Sequence, residues 1–292
     1  MERLSNFLRL LRIKHYIKNI LVFVPLAFTG DFYSFPWLTN CIWGFVVFSL
    51  LTSTVYIIND IKDIKSDRNH PIKKTRPLAS GVLKLKDAYI LATICLLGSI
   101  AASTYICTNQ NISYSSLICL WIYLVANISY SFGLKNIPII DIVILMSGFL
   151  IRIIYGAIIG GTYVSSWLLL TVITGAFYFG LGKRRNELRE SASAGGGQIR
   201  KVLSAYNINF LDKFMYLCLA MAIIFYALWA KEYPKEEVVW TVPLVILICM
   251  QYSFDIETSA DGDPVEVVFK DKKILFLLFA LGVALFCILY LL

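Results

Sequence analysis

Apolar runs of about 17–25 residues recur along this chain, each long enough to cross roughly 30 Å of hydrocarbon as a helix. Nine can be read, near residues 19–35, 38–60, 87–108, 113–130, 138–160, 165–182, 213–231, 238–254 and 273–292. Hydrocarbon offers no water to a bare backbone N–H or C=O, so runs of this length must satisfy their hydrogen bonds internally, as helices. The expected class is all-α, a polytopic membrane protein of about nine transmembrane helices forming one domain over 1–292. Two boundaries are soft, because only short polar turns (Thr108 to Ser113, Gly160 to Ser166) separate the neighbouring runs. Hydrophobic residues make up 58% of the chain and its mean hydropathy is +0.71. A water-soluble core could not hide that much apolar surface, since ordinary domains carry about 45–50%.

Basic residues fall on alternate loops. Arg3, Arg9, Arg12, Lys14 and Lys18 precede the first run; Lys65, Arg68, Lys73, Lys74, Arg76, Lys84 and Lys86 follow the second; Lys183, Arg184, Arg185, Arg189, Arg200 and Lys201 follow the sixth. The other loops hold almost none. By the positive-inside rule, the N-terminus is expected in the cytoplasm and the C-terminus outside, in a multi-pass cell (inner or plasma) membrane protein. The net charge of +8 is mostly this asymmetry, so it needs no nucleic-acid partner. Residues 1–18 alternate Leu4, Phe7, Leu8 and Leu11 with Arg3, Arg9 and Arg12, the pattern of an interfacial amphipathic segment rather than of a cleavable signal peptide. All seven cysteines lie inside apolar runs without Cys-x-x-Cys spacing and read as small buried hydrophobes. With only two histidines, a zinc centre or a Ser-His-Asp hydrolase is a poor fit.

Chemistry concentrates between Asn59 and Gly81. Asp60, Asp63 and Asp67 leave the end of the second run. At about 100° per residue, Asp63 and Asp67 both lie within roughly 60° of Asp60 on a helix, so one face carries all three. Lys62 and Lys65 project to the opposite face and do not neutralise it. Clustered carboxylates without thiol or imidazole suit a hard cation such as Mg²⁺. Arg68, Lys73, Lys74 and Arg76 follow at once, and cations there suit the phosphates such a metal would bridge. Pro71, Pro77 and Gly81 make the basic stretch a shaped loop. The expected site is a metal-bound diphosphate at a membrane surface.

Two further polar clusters are candidates for phosphate or substrate contact. One runs from Tyr130 through Lys135 and Asp141 to Arg152; the last lies about 16 Å along the helix axis from Asp141. A mid-span arginine is too deep to snorkel, so it should face the interior of the bundle, pairing with another helix or marking a polar path. The other is Lys183 with Arg184, after the sixth run. Ser191 to Gly197 is a flexible linker by composition. The acidic C-terminal loop (Asp255 to Asp271) lacks the spacing of a calcium-binding loop.

Asn59-Asp60-x-x-Asp63-x-x-x-Asp67-Arg68 resembles the first aspartate motif of the UbiA superfamily of intramembrane prenyltransferases. Arg68-Asn69-His70-Pro71-x-Lys73-Lys74-x-Arg76-Pro77-x-Ala79-x-Gly81 narrows the likeness to the branch that includes decaprenyl-phosphate phosphoribosyltransferase. Arg12-x-Lys14-x-x-x-Lys18-Asn19, Tyr130-Ser131-x-x-Leu134-Lys135, Gly182-Lys183-Arg184 and Gly262-Asp263-Pro264-x-Glu266 extend it along essentially the whole chain. The resemblance implies nine helices around a central cavity and Asp60, Asp63 and Asp67 holding Mg²⁺ on a diphosphate. It adds Asn59, Tyr130 and Lys18 to the contacts, and substrates in phosphoribosyl pyrophosphate and a polyprenyl phosphate. Members that use aromatic acceptors carry a second Asp-x-x-x-Asp motif; here Asp141 is followed at that offset by Leu145.

Three functions stay open on the sequence: phosphoribosyl transfer to a polyprenyl phosphate, prenyl transfer from a diphosphate to an aromatic or other acceptor, and lipid-phosphate transport without chemistry. Transport would be favoured by inverted internal repeats, and none is visible. Oligomeric state and lipid chain length are not legible.

Overall fold

The computed structural model describes residues 2–29, 34–69, 73–110, 112–193, 201–258, 267–268 and 270–292. Every regular element among them is helical. After α1 (Glu2–Leu11) come a 3-10 segment over Ile13–Phe23 and α2 (Val24–Phe28). Longer helices follow: α3 (Phe35–Arg68), α4 (Leu85–Asn109), α5 (Ser115–Phe132), α6 (Ile140–Ile159) and α7 (Ser166–Ser193). The chain continues with α8 (Ile208–Glu232), α9 (Val242–Thr258) and α10 (Lys272–Phe286).

Eight stretches among the described residues are long and apolar enough to cross a membrane, one on each helix from α3 to α10. They coincide with the last eight expected runs. The first run, 19–35, differs: its described part is split between the 3-10 segment and five-residue α2, with Pro25 in the opening turn of α2. Hydropathy counts apolar side chains and is blind to where a proline withdraws an N–H from the helical ladder.

Helix α3 has 34 residues, about 51 Å at 1.5 Å per residue, where about 20 residues suffice for a crossing. The surplus continues past the apolar stretch as Asn59 to Arg68, so the aspartates ride on a helix whose register the membrane-spanning part sets.

Two compact units make up the chain: residues 1–134 with 151–163, and residues 135–150 with 164–292. In the first, α3 packs against α4, α5, α1 and the 3-10 segment. Its apolar centre gathers Val22, Val47, Phe48, Leu51, Tyr123 and Tyr155, with a smaller cluster of Leu10, Ile57, Leu78, Leu83 and Ala88 beneath the Lys73–Leu83 turn. In the second, α7 packs along α8, and Ile142, Met146, Leu203, Leu211, Met215 and Ile256 fill the core.

Gly156 lets the 3-10 segment lie directly on α6: a Cβ there would meet the carbonyl oxygen of Val22 far inside van der Waals contact. That neighbour is backbone and cannot rotate aside. Gly156→Ala is therefore expected to destabilise the protein by about 1–3 kcal/mol, the usual cost of overpacking. Thermal unfolding in detergent should show the loss, while the same change at Gly175, where nothing lies within 4 Å of an added Cβ, should leave the transition in place.

Candidate functional site

Asp60 and Asp67 are seven residues, two turns, apart on α3, and only 3% and 4% of their surfaces are exposed. Asp63, between them, is half-buried. One guanidinium joins the outer pair: Arg76 Nη1 donates to Asp60 Oδ1 at 3.2 Å and to Asp67 Oδ2 at 2.7 Å. A second reaches Asp60 from the N-terminal segment, with Arg12 Nη2 donating to Oδ1 at 2.5 Å. Arg12 occupies the left-handed region (φ 55°, ψ 48°) between α1 and the 3-10 segment, and its guanidinium lies 4.6 Å from the centre of the Tyr56 ring. Lys62 lies over the ring of Phe132 at 3.6 Å, as a residue on the other face of α3 should.

From Lys73 to Leu83 the basic loop is shaped, as Pro77 and Gly81 require. Arg68 Nε donates to the Ala79 carbonyl at 3.2 Å, and Arg9 Nη2 to the Thr75 carbonyl at 3.1 Å. Buried Leu78 and Leu83 anchor the loop, and Gly81 (φ 79°) closes its turn in a conformation few other residues tolerate. Lys73 and Lys74 are exposed on the short helical turn Lys73–Thr75. Asn59 Oδ1 accepts the Ser131 hydroxyl at 3.0 Å, which ties the Tyr130-Ser131 end of α5 to the start of the acidic stretch. Tyr130 and Lys18 are half-buried. His70 and Pro71, most of the Ser191–Gly197 linker and the Gly262–Glu266 stretch lie outside the described residues.

Among the described residues, no three carboxylate, imidazole or thiolate side chains converge on one point. What the acidic face gathers is positive charge: Arg76 spans Asp60 and Asp67 where another cation could sit. Two buried carboxylates on one helix face, a third half-buried between them, and no sulfur or nitrogen donor make an all-oxygen set that fits a hard divalent ion.

Arg152, also in the first unit, is 5% exposed. Its Nε donates to Asn19 Oδ1 at 2.7 Å, and its Nη2 to Tyr123 Oη at 3.2 Å and Thr52 Oγ1 at 3.4 Å. The rings of Phe48 and Tyr123 flank the guanidinium at 4.8 and 5.0 Å. Asn19 Nδ2 in turn donates to Ser49 Oγ at 2.9 Å. A charge at this depth must be matched by hydrogen-bonding groups, and the 3-10 segment, α3 and α5 supply them.

The remaining candidates form a separate cluster in the second unit. Arg184 is fully buried; its Nε donates to Asp141 Oδ2 and its Nη1 to Glu187 Oε2, both at 2.6 Å. Asp141, equally buried, also accepts the Tyr206 hydroxyl on Oδ1 at 2.7 Å. Lys135, on the turn Leu134–Asn136, and Lys183 are half-buried. Arg184 and Asp141 thus meet each other, while Lys135 and Lys183 keep part of their surface open.

Arg12 meets the acidic face although sequence reasoning assigns it no contact there, placing it only among the basic residues of the N-terminal segment. Its place in Arg12-x-Lys14-x-x-x-Lys18-Asn19 was the available signal. Tyr206 has no counterpart signal, since a lone tyrosine before a helix looks like any other.

The sequence profile of the UbiA prenyltransferase family matches residues 20–196. A decaprenyl-phosphate phosphoribosyltransferase of Mycolicibacterium smegmatis is 33% identical, the match covering 94% of this chain and 89% of that one. Another, of Corynebacterium glutamicum, is 33% identical over 92% of this chain and 82% of its own. Among solved structures, a UbiA homologue from Archaeoglobus fulgidus bound to DMAPP and Mg²⁺ superposes with a TM-score of 0.71, covering 96% and 98% of the two chains at 21% identity. That likeness speaks for the fold.

Proposed function

The chain belongs to the UbiA prenyltransferase family, and from that premise we propose that it transfers the 5-phosphoribosyl group of phosphoribosyl pyrophosphate to a polyprenyl phosphate such as decaprenyl phosphate. The observation that carries this reading is the buried Asp60–Asp67 pair bridged by Arg76. An acidic face already matched to a cation, with more cations on the adjoining loop, suits a metal-bound diphosphate. Relatives named for the phosphoribosyl reaction match nearly the whole chain. Leu145 stands where a second aspartate motif would continue, which favours that donor over a prenyl diphosphate.

Asp60, Asp63 and Asp67 would hold the divalent ion, Mg²⁺ by donor chemistry. When bound, the ion supplies neutralisation of the charge that develops on departing pyrophosphate. Arg12 and Arg76 hold the same carboxylates, Arg68 lies on the adjoining loop against the Ala79 carbonyl, and their guanidinium forks suit phosphate oxygens. In the transfer, the bond from ribose C1 to the pyrophosphate oxygen breaks and one from C1 to a phosphate oxygen of the lipid forms. The attacking oxygen is already anionic, so the chain needs no general base, consistent with two histidines in 292 residues. Lys135 and Lys183, half-buried cations of the second unit, are further candidates for contact with substrate phosphate. Charge on alternate loops supports the cytoplasmic face of the membrane as the side of this chemistry.

Purified protein with Mg²⁺, labelled phosphoribosyl pyrophosphate and decaprenyl phosphate should produce a labelled lipid. A parallel reaction offers a prenyl diphosphate and an aromatic acceptor. Turnover only in the second, with phosphoribosyl pyrophosphate neither consumed nor inhibitory, would replace this reading with prenyl transfer. No product in either, together with translocation of the lipid phosphate in vesicles, would replace it with transport.

A further inference from the structure

Between α5 and α6 the chain turns through Gly133-Leu134-Lys135-Asn136-Ile137-Pro138-Ile139, and Ile139 has φ +69°. A β-branched residue rarely enters this region, because its Cβ crowds the backbone. Its own side chain does not hold it there, being 58% exposed. The backbone does. The Ile139 N–H donates to the Tyr206 hydroxyl oxygen at 2.6 Å. Its carbonyl accepts the N–H groups of Ile142 and Val143 at 3.0 and 2.9 Å, opening α6.

Tyr206 uses its hydroxyl twice: it accepts from Ile139 and donates to Asp141 Oδ1 at 2.7 Å. Asp141 is held in turn by Arg184 of α7. Burial first, then the bond to Asp141, pushes the phenol up to about 12, so the proton stays on the hydroxyl at neutral pH. The ring is itself fixed. It is buried, it stacks on Phe210 (6.3 Å between centres, 20° between planes), and it precedes Asn207, whose side chain caps α8 by accepting from the Phe210 N–H at 2.7 Å.

We propose that Tyr206 is a positioning residue: its hydroxyl latches Ile139 in the left-handed conformation and so holds the Lys135 turn in the form that grips a phosphate. The proposal rests on the reading of Lys135 as a phosphate ligand. The chain Arg184–Asp141–Tyr206–Ile139 fastens the turn to α7, the helix that carries Lys183. Nothing in this role requires the tyrosine to touch substrate. Its effect is to order the turn before the anion arrives, so that binding does not have to.

The latch predicts a specific rescue. Glycine adopts positive φ without strain, so Ile139→Gly keeps the turn available when the hydroxyl is gone, and little packing is lost at an exposed side chain. In the full-length protein, Tyr206→Phe should raise KM for phosphoribosyl pyrophosphate about tenfold, the scale of one lost hydrogen bond in a buried network. Its kcat should stay within about twofold, a split that a merely structural role would not produce. Amide exchange across residues 134–143 should speed up. Ile139→Gly should behave nearly as wild type, and Tyr206→Phe with Ile139→Gly should recover most of the KM. Unchanged exchange, an unchanged KM, or no recovery in the double variant would each overturn the latch. If wild type turns over no phosphoribosyl pyrophosphate at all, the proposed function fails while the exchange comparison still decides the latch: faster exchange in Tyr206→Phe supports it and unchanged exchange overturns it.

Discussion

Replacing Asp67 by asparagine is expected to lower kcat/KM by about 10³-fold, because a bound metal supplies several kcal/mol of transition-state stabilisation. The amide keeps the shape of the side chain and loses its charge, so it removes a ligand without opening a cavity. Arg76 still has Asp60 to pair with, and the turn behind it stays anchored by Leu78 and Leu83. The unfolding transition should therefore move little. Asp60→Asn should inactivate as fully and destabilise more, because two guanidinium groups, from Arg12 and Arg76, converge on that carboxylate. The check is turnover against Mg²⁺ concentration beside thermal unfolding. Wild-type turnover in excess chelator, or an active Asp67→Asn protein, would remove the metal from this face.

The second large effect is on stability. Arg152→Ala is expected to destabilise the protein by about 3–5 kcal/mol, because three buried polar groups lose a charged hydrogen-bond donor at about 1–3 kcal/mol each. The guanidinium links α6 to the 3-10 segment through Asn19, to α5 through Tyr123 and to α3 through Thr52. Truncation takes a donor from three polar groups in an apolar interior. Arg152→Lys should recover only part of the loss, since one ammonium cannot reproduce the fork. Denaturant unfolding in mixed micelles would measure both variants. If Arg152→Ala unfolds like wild type and instead loses affinity for a phosphate substrate, the residue is a ligand and not a clamp.

How far these arginines could be read beforehand differs for a physical reason. That Arg152 faces the protein interior follows from its depth in an apolar run, since lipid would not tolerate it. That its partner is Asn19, 133 positions earlier, does not follow, because many polar residues in the chain could have met it. Arg76 stands in the basic stretch behind the aspartates and is a candidate on sight. Arg12 forms its ion pair across 48 residues, and before folding it cannot be told from the neighbouring charges that orient the chain.

The features that depend on neighbours in sequence are determined by the sequence itself. Apolar runs long enough to span give helices, since a helix closes its hydrogen bonds within four residues and needs no distant partner. Asp60 and Asp67 share a face because two helical turns bring the same direction round again, whatever surrounds them. The exception on this local level is the stretch from Ile13 to Phe28, which forms a 3-10 segment and a short helix opening at Pro25 rather than one continuous α-helix. What tertiary structure decides is which charges are desolvated and what answers them. The cost of burying Arg184 or Asp141 exists only once α6 and α7 have packed, and that cost selects the partner. The left-handed turn at Ile139 belongs to the same class: no local preference would place isoleucine there, and it persists because a hydroxyl 67 residues away holds its N–H.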